Sequence, residues 1–216
     1  MTHWIRPAPS GDGLEEESYR ILRSRIDLSR LPKYSRDVTE RVIYETADFD
    51  YATDLVCDEE ALAGAVAAIG GGAPVIADSP VTAACLAGCT VICKMGESLA
   101  QRLSRTAGIS LAAAAVRLAF GEAGPGGIWV VGSEPDALTE ILTREVEPAF
   151  VIGLPAGLVG AAEAKDALRA SGLPGLTNVS EKGGPPVAGA AFTALLRCAD
   201  AASGDRQEPS PAPGPG

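Results

Sequence analysis

Two kinds of apolar spacing divide this chain. In "LEEESYRILRSRIDLSRL", residues 14–31, the positions of Leu14, Ile21, Leu22, Ile26 and Leu28 suit one face of a helix. "SRDVTERVIYETA", 35–47, predicts a second helix with Ser35 as N-cap and Val38, Val42 and Ile43 on one side. "DEEALAGAVAAIGGG", 58–72, predicts a third, capped by Asp58 and stopped by glycine. From there on, short continuous apolar runs take over: "APVIAD", "CTVICKM", "GIWVVG", "AFVIGLP" and, more weakly, "GLTNVS". Between them lie helical segments: "SPVTAACLA", "ESLAQRLSRTAG" with "SLAAAAVRLAF", "EPDALTEILTREV" and "LVGAAEAKDALRAS". A small-residue helix, "PPVAGAAFTALLRCA", closes the series. Apolar runs bounded by Gly, Pro and Asp and alternating with helices predict a buried, mostly parallel sheet. The expected fold is therefore a single three-layer α/β/α domain.

The flanks differ. Residues 1–12 and 201–216 are rich in Pro, Gly and polar side chains and read as a flexible N-terminus and a disordered tail around a domain at 13–200. The total of 216 residues is of single-domain size, and 46% hydrophobic residues suffice for a core, one built mainly from small side chains because aromatics are only 5%. A formal charge of −10 with no basic stripe argues against nucleic-acid binding, and an anionic ligand would need a local positive patch. No run reaches the roughly 18–20 apolar residues that span a bilayer. The acidic start "MTHWIRPAPSGDGLEEE" is unlike a signal peptide, so the expectation is a cytoplasmic protein, with no membrane partner and with its five cysteines as free thiols.

In parallel-sheet folds ligands collect at the carboxyl ends of the strands. Those ends here are Asp78-Ser79, Lys94-Met95-Gly96, Gly132-Ser133 and Gly153-Leu154-Pro155, where apolar runs give way to Gly, Ser or charge. The single histidine, His3, lies near the N-terminus, so acid–base chemistry must use another group. Tyr44, at the end of the second predicted helix beside an acidic turn, is one candidate. Cys85, Cys89 and Cys93 are spaced by four, but no CxxC pair or nearby histidine accompanies them. Buried small thiols account for them better than a metal site does, and no metal is expected. The glycine clusters "GGAP" and "GPGG" precede strands, whereas a dinucleotide fingerprint follows one.

Two glycine-rich junctions remain. In "IGLPAGLVGAAEAKDAL", 152–168, Gly153, Pro155, Gly157 and Gly160 suggest something packed against bare backbone, tight strand–helix packing being the plainer account. In "SEKGGPPVAG", 180–189, Lys182, Gly183 and Gly184 open the last helix, where free N–H groups can hold an anion, although Pro185 and Pro186 remove two donors.

From residue 14 to about 197 the chain resembles the precorrin-8X methylmutase family of cobalamin biosynthesis. The likeness rests on "SYRILRSRIDLSRLP", "ERVIYETADFDYATDL", "GAPVIADS", "VICKM", "VVGSEPDAL" and above all "GLPAGLVGAAEAKDAL", close to the family motif Gly-x-Pro-Val-Gly-Phe-Val-Gly-Ala-Ala-Glu-Ser-Lys. The resemblance implies an α/β homodimer with its site near the dimer interface and no cofactor. It implies an isomerase that moves a methyl group from C-11 to C-12 of a corrin precursor, with Tyr44 in the slot of the proton-donating histidine. Ser18, Arg41, Asp78, Ser79, Gly153, Pro155, Gly157, Gly160, Lys182, Gly183 and Gly184 are its expected tetrapyrrole-binding positions.

The chain departs from that pattern at three places. Arg41-Val42-Ile43-Tyr44 stands for Arg-Met-Ile-His; Ser110-Leu111-Ala112 stands for Thr-Arg-Ser; and Ser180-Glu181-Lys182-Gly183-Gly184-Pro185 stands for an Arg-rich stretch ending Gly-Gly-Ser. Tyrosine's reference pKa of about 10, against about 6.5 for histidine, makes proton donation about 5 kcal/mol harder. The lost arginines suit a polyanion less well. These departures point to a second expectation, a repurposed relative that binds or transforms a less anionic metabolite or a non-catalytic tetrapyrrole-binding protein.

Overall fold

The computed structural model describes residues 12–144 and 146–204. Six strands form one sheet in the order β1-β6-β5-β4-β2-β3. The strands are β1 (Leu55–Cys57), β2 (Val75–Ala77), β3 (Val91–Ile92), β4 (Ile128–Val131), β5 (Phe150–Gly153) and β6 (Gly175–Asn178). All pairings are parallel except that of β1 with β6.

The continuous apolar runs arise because both faces of the sheet are covered. Along β4, Ile128 and Val130 join one core while Trp129 and Val131 join the other; Phe150 and Ile152 of β5 face the first, Val151 the second. The first core lies under α2 (Lys33–Thr46), α4 (Glu59–Gly70) and α10 (Pro185–Gly204). The second lies under α7 (Leu111–Ala123), α8 (Pro135–Thr143) and α9 (Ala161–Ser171). Small residues let α10 sit close to its neighbours: a Cβ on Gly189 would stand 2.6 Å from Cys85 Cβ at the end of α5 (Pro80–Ala84). The three-layer α/β/α expectation holds.

Several local readings change. The second helix begins at Lys33 with Pro32 as N-cap, not at Ser35. Pro suits a helix start because it lacks a donor that the helix could not use. The Glu59 carboxylate of α4 accepts from the Tyr34 and Ser35 N–H groups and from the Ser35 hydroxyl, capping α2 from a distance. The first helix, α1, covers only Asp12–Arg25, because Asp27 accepts from the Ser29 N–H in a tight turn. Of its apolar positions Leu22 is buried, whereas Leu14 and Ile21 are exposed. The turn "DFDYATDLVC" holds two elements that spacing did not predict, α3 (Tyr51–Asp54) and the edge strand β1. Asp58 does cap α4, accepting from Ala61 N–H at 2.9 Å. α10 runs on to Gly204, into the segment read as tail; residues 1–11 and 205–216 of the predicted flexible ends lie outside the described residues.

Candidate active site

The chain crosses the sheet from β3 to β4 past β2, so the winding reverses between β2 and β4, and the crevice outside their carboxyl ends is where this architecture places ligands. Asp78, one residue beyond β2, reaches across it. Its Oδ2 accepts from the backbone N–H groups of Ser133 and Glu134, each at 2.7 Å. Its Oδ1 is buried without a hydrogen-bond partner. Ser79 caps the short α5 through Thr82 N–H, and its Oγ lies 2.7 Å from Ser133 Oγ; Thr82 Oγ1 completes a triangle of hydroxyls. Burial first, then the charge of Asp78, raises the Glu134 carboxyl above its ordinary value. Gly132 must lack a side chain, since a Cβ there would stand 2.8 Å from Pro185 Cα at the head of α10.

Beside this crevice the two glycine-rich junctions are tied together. Gly184 N–H donates to the Leu154 carbonyl at 2.8 Å, and Gly157 N–H to the Glu181 carbonyl at 3.1 Å. Gly183 has φ +147, and a Cβ would fall 2.3 Å from the Leu154 oxygen, so only glycine fits. A second layer supports the 178–182 loop. Lys165 of α9 is wholly buried, and its ammonium donates to Asn178 Oδ1 (2.9 Å) and to the carbonyls of Ser180 (2.5 Å) and Lys182 (2.9 Å). Burial pushes this lysine down to about 8, opposed chiefly by Asp54. Asp54 accepts from the Val179 and Ser180 N–H groups, the Ser180 hydroxyl and the Asn178 amide. Burial pushes its carboxyl up, but those hydrogen bonds outweigh burial and hold it below the usual carboxylate range.

Lys182 joins this loop to α2. Its ammonium donates to Asp48 (2.8 Å) and Asp50 (2.7 Å), in the acidic turn just after Tyr44's helix, and those bonds raise it above its ordinary value. Tyr44 sits one turn earlier. Its ring stacks on Tyr19 of α1, centroids 5.2 Å apart and planes 14° from parallel, and the Arg41 guanidinium lies 4.7 Å from its centroid. Glu15 of α1 accepts from Arg41 at 3.1 Å and from Arg197 of α10 at 2.5 Å. The Arg197 bond, against some burial cost, lowers the Glu15 carboxyl. Burial raises the Tyr19 phenol.

The expected site residues thus fall into two groups bridged by Lys182. Asp78, Ser79, Gly153, Pro155, Gly157, Gly160, Gly183 and Gly184 lie at the strand ends; Arg41 and Tyr44 lie on α2. The Ser18 hydroxyl donates to the Leu14 carbonyl within its own helix. Gly153 makes room for Leu138 and Leu168, whose side chains stand 3.0 and 2.9 Å from a hypothetical Cβ, so its bareness serves strand–helix packing. Lys182 is engaged with two carboxylates, and the one N–H at Gly184 is spent on Leu154. Lys165, Asp54 and Asn178, which hold the loop in place, were not singled out from the sequence. The one signal for Lys165 is that it falls on the closing lysine of the family motif ending Ala-Ala-Glu-Ser-Lys. Cys85 caps α5, whereas Cys89 and Cys93 flank β3, and burial raises each thiol. Among the described residues, no group of three or more His, Cys, Asp or Glu side chains is arranged to hold a metal ion.

Fold and side-chain arrangement together define a three-layer α/β protein whose strand-end turns at Asp78–Ser79 and Ser133–Glu134 are hydrogen-bonded to one another, with a tyrosine–arginine cluster on α2. The family model for precorrin-8X methylmutase matches residues 13–198. A cobalt-precorrin-8 methylmutase of Salmonella typhimurium is 34% identical over 196 residues, covering 85% of this chain and 93% of the relative. A precorrin-8X methylmutase of Sinorhizobium sp. is 32% identical, covering 87% and 94%. The crystal structure of a precorrin-8X methylmutase from Thermus thermophilus superposes with a TM-score of 0.79 at 29% identity, over 88% of this chain and 98% of that one. The chain belongs to the precorrin-8X methylmutase family.

Proposed function

We propose that this chain is an isomerase of cobalamin biosynthesis that moves a methyl group from C-11 to C-12 of a corrin precursor. The observation that carries the reading is the match of the precorrin-8X methylmutase family model to residues 13–198, which include every strand and the loops at their carboxyl ends. The reaction is an isomerisation, so no atom is gained or lost and no co-substrate is required. In this reading the Tyr44 hydroxyl lends its proton to the substrate, the methyl group migrates on the protonated macrocycle, and the phenolate recovers the proton. Arg41, whose guanidinium lies 4.7 Å from the ring centroid, holds the Tyr44 ring in place. Asp78, Ser79 and the glycines of both junctions shape the crevice around the tetrapyrrole.

The working unit is a homodimer in the cytoplasm. The support is exposed apolar surface outside the core: Leu14 is 75%, Leu158 91% and Val159 88% exposed. Among the described residues no single helix is long and apolar enough to cross a membrane.

The test is turnover of precorrin-8X to hydrogenobyrinic acid, followed by absorbance. Conversion that disappears in Tyr44→Phe supports the reading. No conversion by the wild-type chain, together with no binding of hydrogenobyrinic acid at micromolar protein, sinks it. A second reading, a homologue serving a less anionic metabolite, is favoured by Glu134 and Asp78 standing together at the crevice and by Lys182 already neutralised. It predicts that Tyr44→His remains inactive, whereas the first predicts a gain in rate.

A further inference from the structure

Two carboxylates at the strand ends have no cation to offset them. Asp78, just beyond β2, is 5% exposed. Its Oδ2 accepts from two backbone N–H groups, whereas its Oδ1 is shut off from solvent with no donor. Glu134 follows β4, and its own N–H is one of those two donors, so the backbone fixes the pair side by side. The lysines of the neighbouring strand-end turns are spent elsewhere, Lys94 on Glu97 and Glu122 and Lys182 on Asp48 and Asp50. Among the described residues no Lys or Arg nitrogen lies within 4.0 Å of Asp78 or Glu134. The ordinary reason for an acid at this position does not suffice. Glu134 stands at the N-cap of α8, where the helix dipole favours a carboxylate, but its side chain makes no cap bond. Burial, then Asp78 and then Asp136, raise its carboxyl, so the charges that act on it are all negative. A buried carboxylate left unpaired is costly, and the arrangement suits a positive charge that arrives from outside.

The isomerisation creates such a charge. A proton lent to the corrin macrocycle makes its ring system a cation for the lifetime of the methyl shift. Preorganised negative charge beside it lowers the energy of that state more than that of the unprotonated substrate. We propose that Glu134 meets the protonated macrocycle and, with the charge of Asp78 behind it, stabilises the positive charge that the methyl shift requires. Glu134 is part-exposed and can touch a ligand. Asp78 Oδ1 is closed off, so Asp78 is a positioning residue that acts through its charge and through the Glu134 N–H. No bond to the protein forms. The proton passes from Tyr44 to the macrocycle, which becomes positive as the phenolate becomes negative, and both charges vanish when the proton returns. This role rests on the function proposed above; the preference of the Asp78–Glu134 pair for a cation does not.

Two titrations test this, each on the wild-type chain, Glu134→Gln and Asp78→Asn. The first binds hydrogenobyrinic acid and follows protonation of the bound chromophore by absorbance against pH. The wild-type midpoint should lie above that of the free compound and should fall by at least about one pH unit in either variant. The second is isothermal titration at low salt with benzamidinium as a cationic probe. The wild type should bind it at least about tenfold more tightly than either variant, and added salt should abolish the difference. If hydrogenobyrinic acid binds, its midpoint decides: the same midpoint in all three proteins overturns the proposal and leaves the proposed function standing. If it does not bind the wild type, the proposed function falls and the benzamidinium series decides alone. Weaker benzamidinium binding in the variants then upholds the pair's preference for a cation, and equal or absent binding overturns it. Glu134 is part-exposed and caps nothing, so Glu134→Gln is the safer fold and decides alone if Asp78→Asn does not fold.

Discussion

Replacing Lys165 by methionine tests what holds the 178–184 loop at the mouth of the crevice. The ammonium is buried and supplies three hydrogen bonds, to Asn178 Oδ1 and to the carbonyls of Ser180 and Lys182. Methionine fills the volume and donates nothing. Two of the three acceptors keep a longer bond from the Asn178 amide, at 3.3 Å to Ser180 and 3.0 Å to Lys182, so only Asn178 Oδ1 is stranded completely. A buried acceptor left unmade costs about 1–3 kcal/mol, and weakening two more adds a comparable amount. Relief from burying an ammonium offsets part of this, leaving a net loss of about 2–4 kcal/mol. With a urea slope of about 2 kcal/mol per molar, the midpoint should fall by about 1–2 M, read by far-ultraviolet circular dichroism. Hydrogen exchange should rise first at residues 178–184. There is also a pH signature. Lys165 titrates at about 8 when folded and near 10.5 when unfolded, so between those values the unfolded chain holds the extra proton and the folded state gains stability as pH rises. Lys165→Met should remove that increment, so the gap to the wild type should widen from pH 8 to pH 10. A midpoint shift below about 0.5 M, with unchanged exchange in the loop, would show that the lysine is not what supports it.

Other expectations follow from the same contacts. Gly183→Ala should cost at least about 2 kcal/mol in a thermal melt, because φ +147 and a Cβ 2.3 Å from the Leu154 oxygen cannot both be accommodated; an unchanged melting temperature counts against the zipped-junction geometry. Asp54→Asn should flatten the acid limb of the stability curve. The Asp54 carboxyl is held below its ordinary value, so its contribution is present above about pH 4 and is lost as pH falls through its folded value, which urea titrations at several pH values will show. Tyr19→Ala should lower the methylmutase rate more than the stability, since it removes the ring that stacks on Tyr44 at 5.2 Å; equal activity would mean the stack does not position Tyr44.

The sheet was legible because its strands are buried on both sides and therefore read as unbroken apolar runs, as at Ile128–Val131. β1 was not, because Leu55–Cys57 is a three-residue edge strand whose pairing with Leu176–Asn178 depends on residues more than a hundred positions away. The start of α2 was misplaced for a related reason: its cap is Glu59, on another helix, and no local pattern announces it. The resemblance brought Tyr44 and Arg41 to the site, but the partners that define their surroundings, Tyr19, Glu15 and Arg197, come from α1 and α10 at opposite ends of the chain. A lysine such as Lys165 reads as a surface charge on a helix until tertiary packing buries it.

α10 begins at the glycine pair that is zipped to Leu154 and carries Arg197 to Glu15 twelve residues later. A helix rises about 1.5 Å per residue, so a rigid rod of roughly 18 Å sets the span between the strand-end turns and the Arg197–Glu15 pair. Gly189, pressed against Cys85, pins the rod a third of the way along. Length and azimuth are thereby coupled: adding one residue between Gly189 and Arg197 would lengthen the span only slightly but swing the guanidinium by about 100°, away from Glu15. In this part of the protein insertions and deletions are constrained by rotation rather than by distance, and only changes close to whole turns of the helix leave both ends in register.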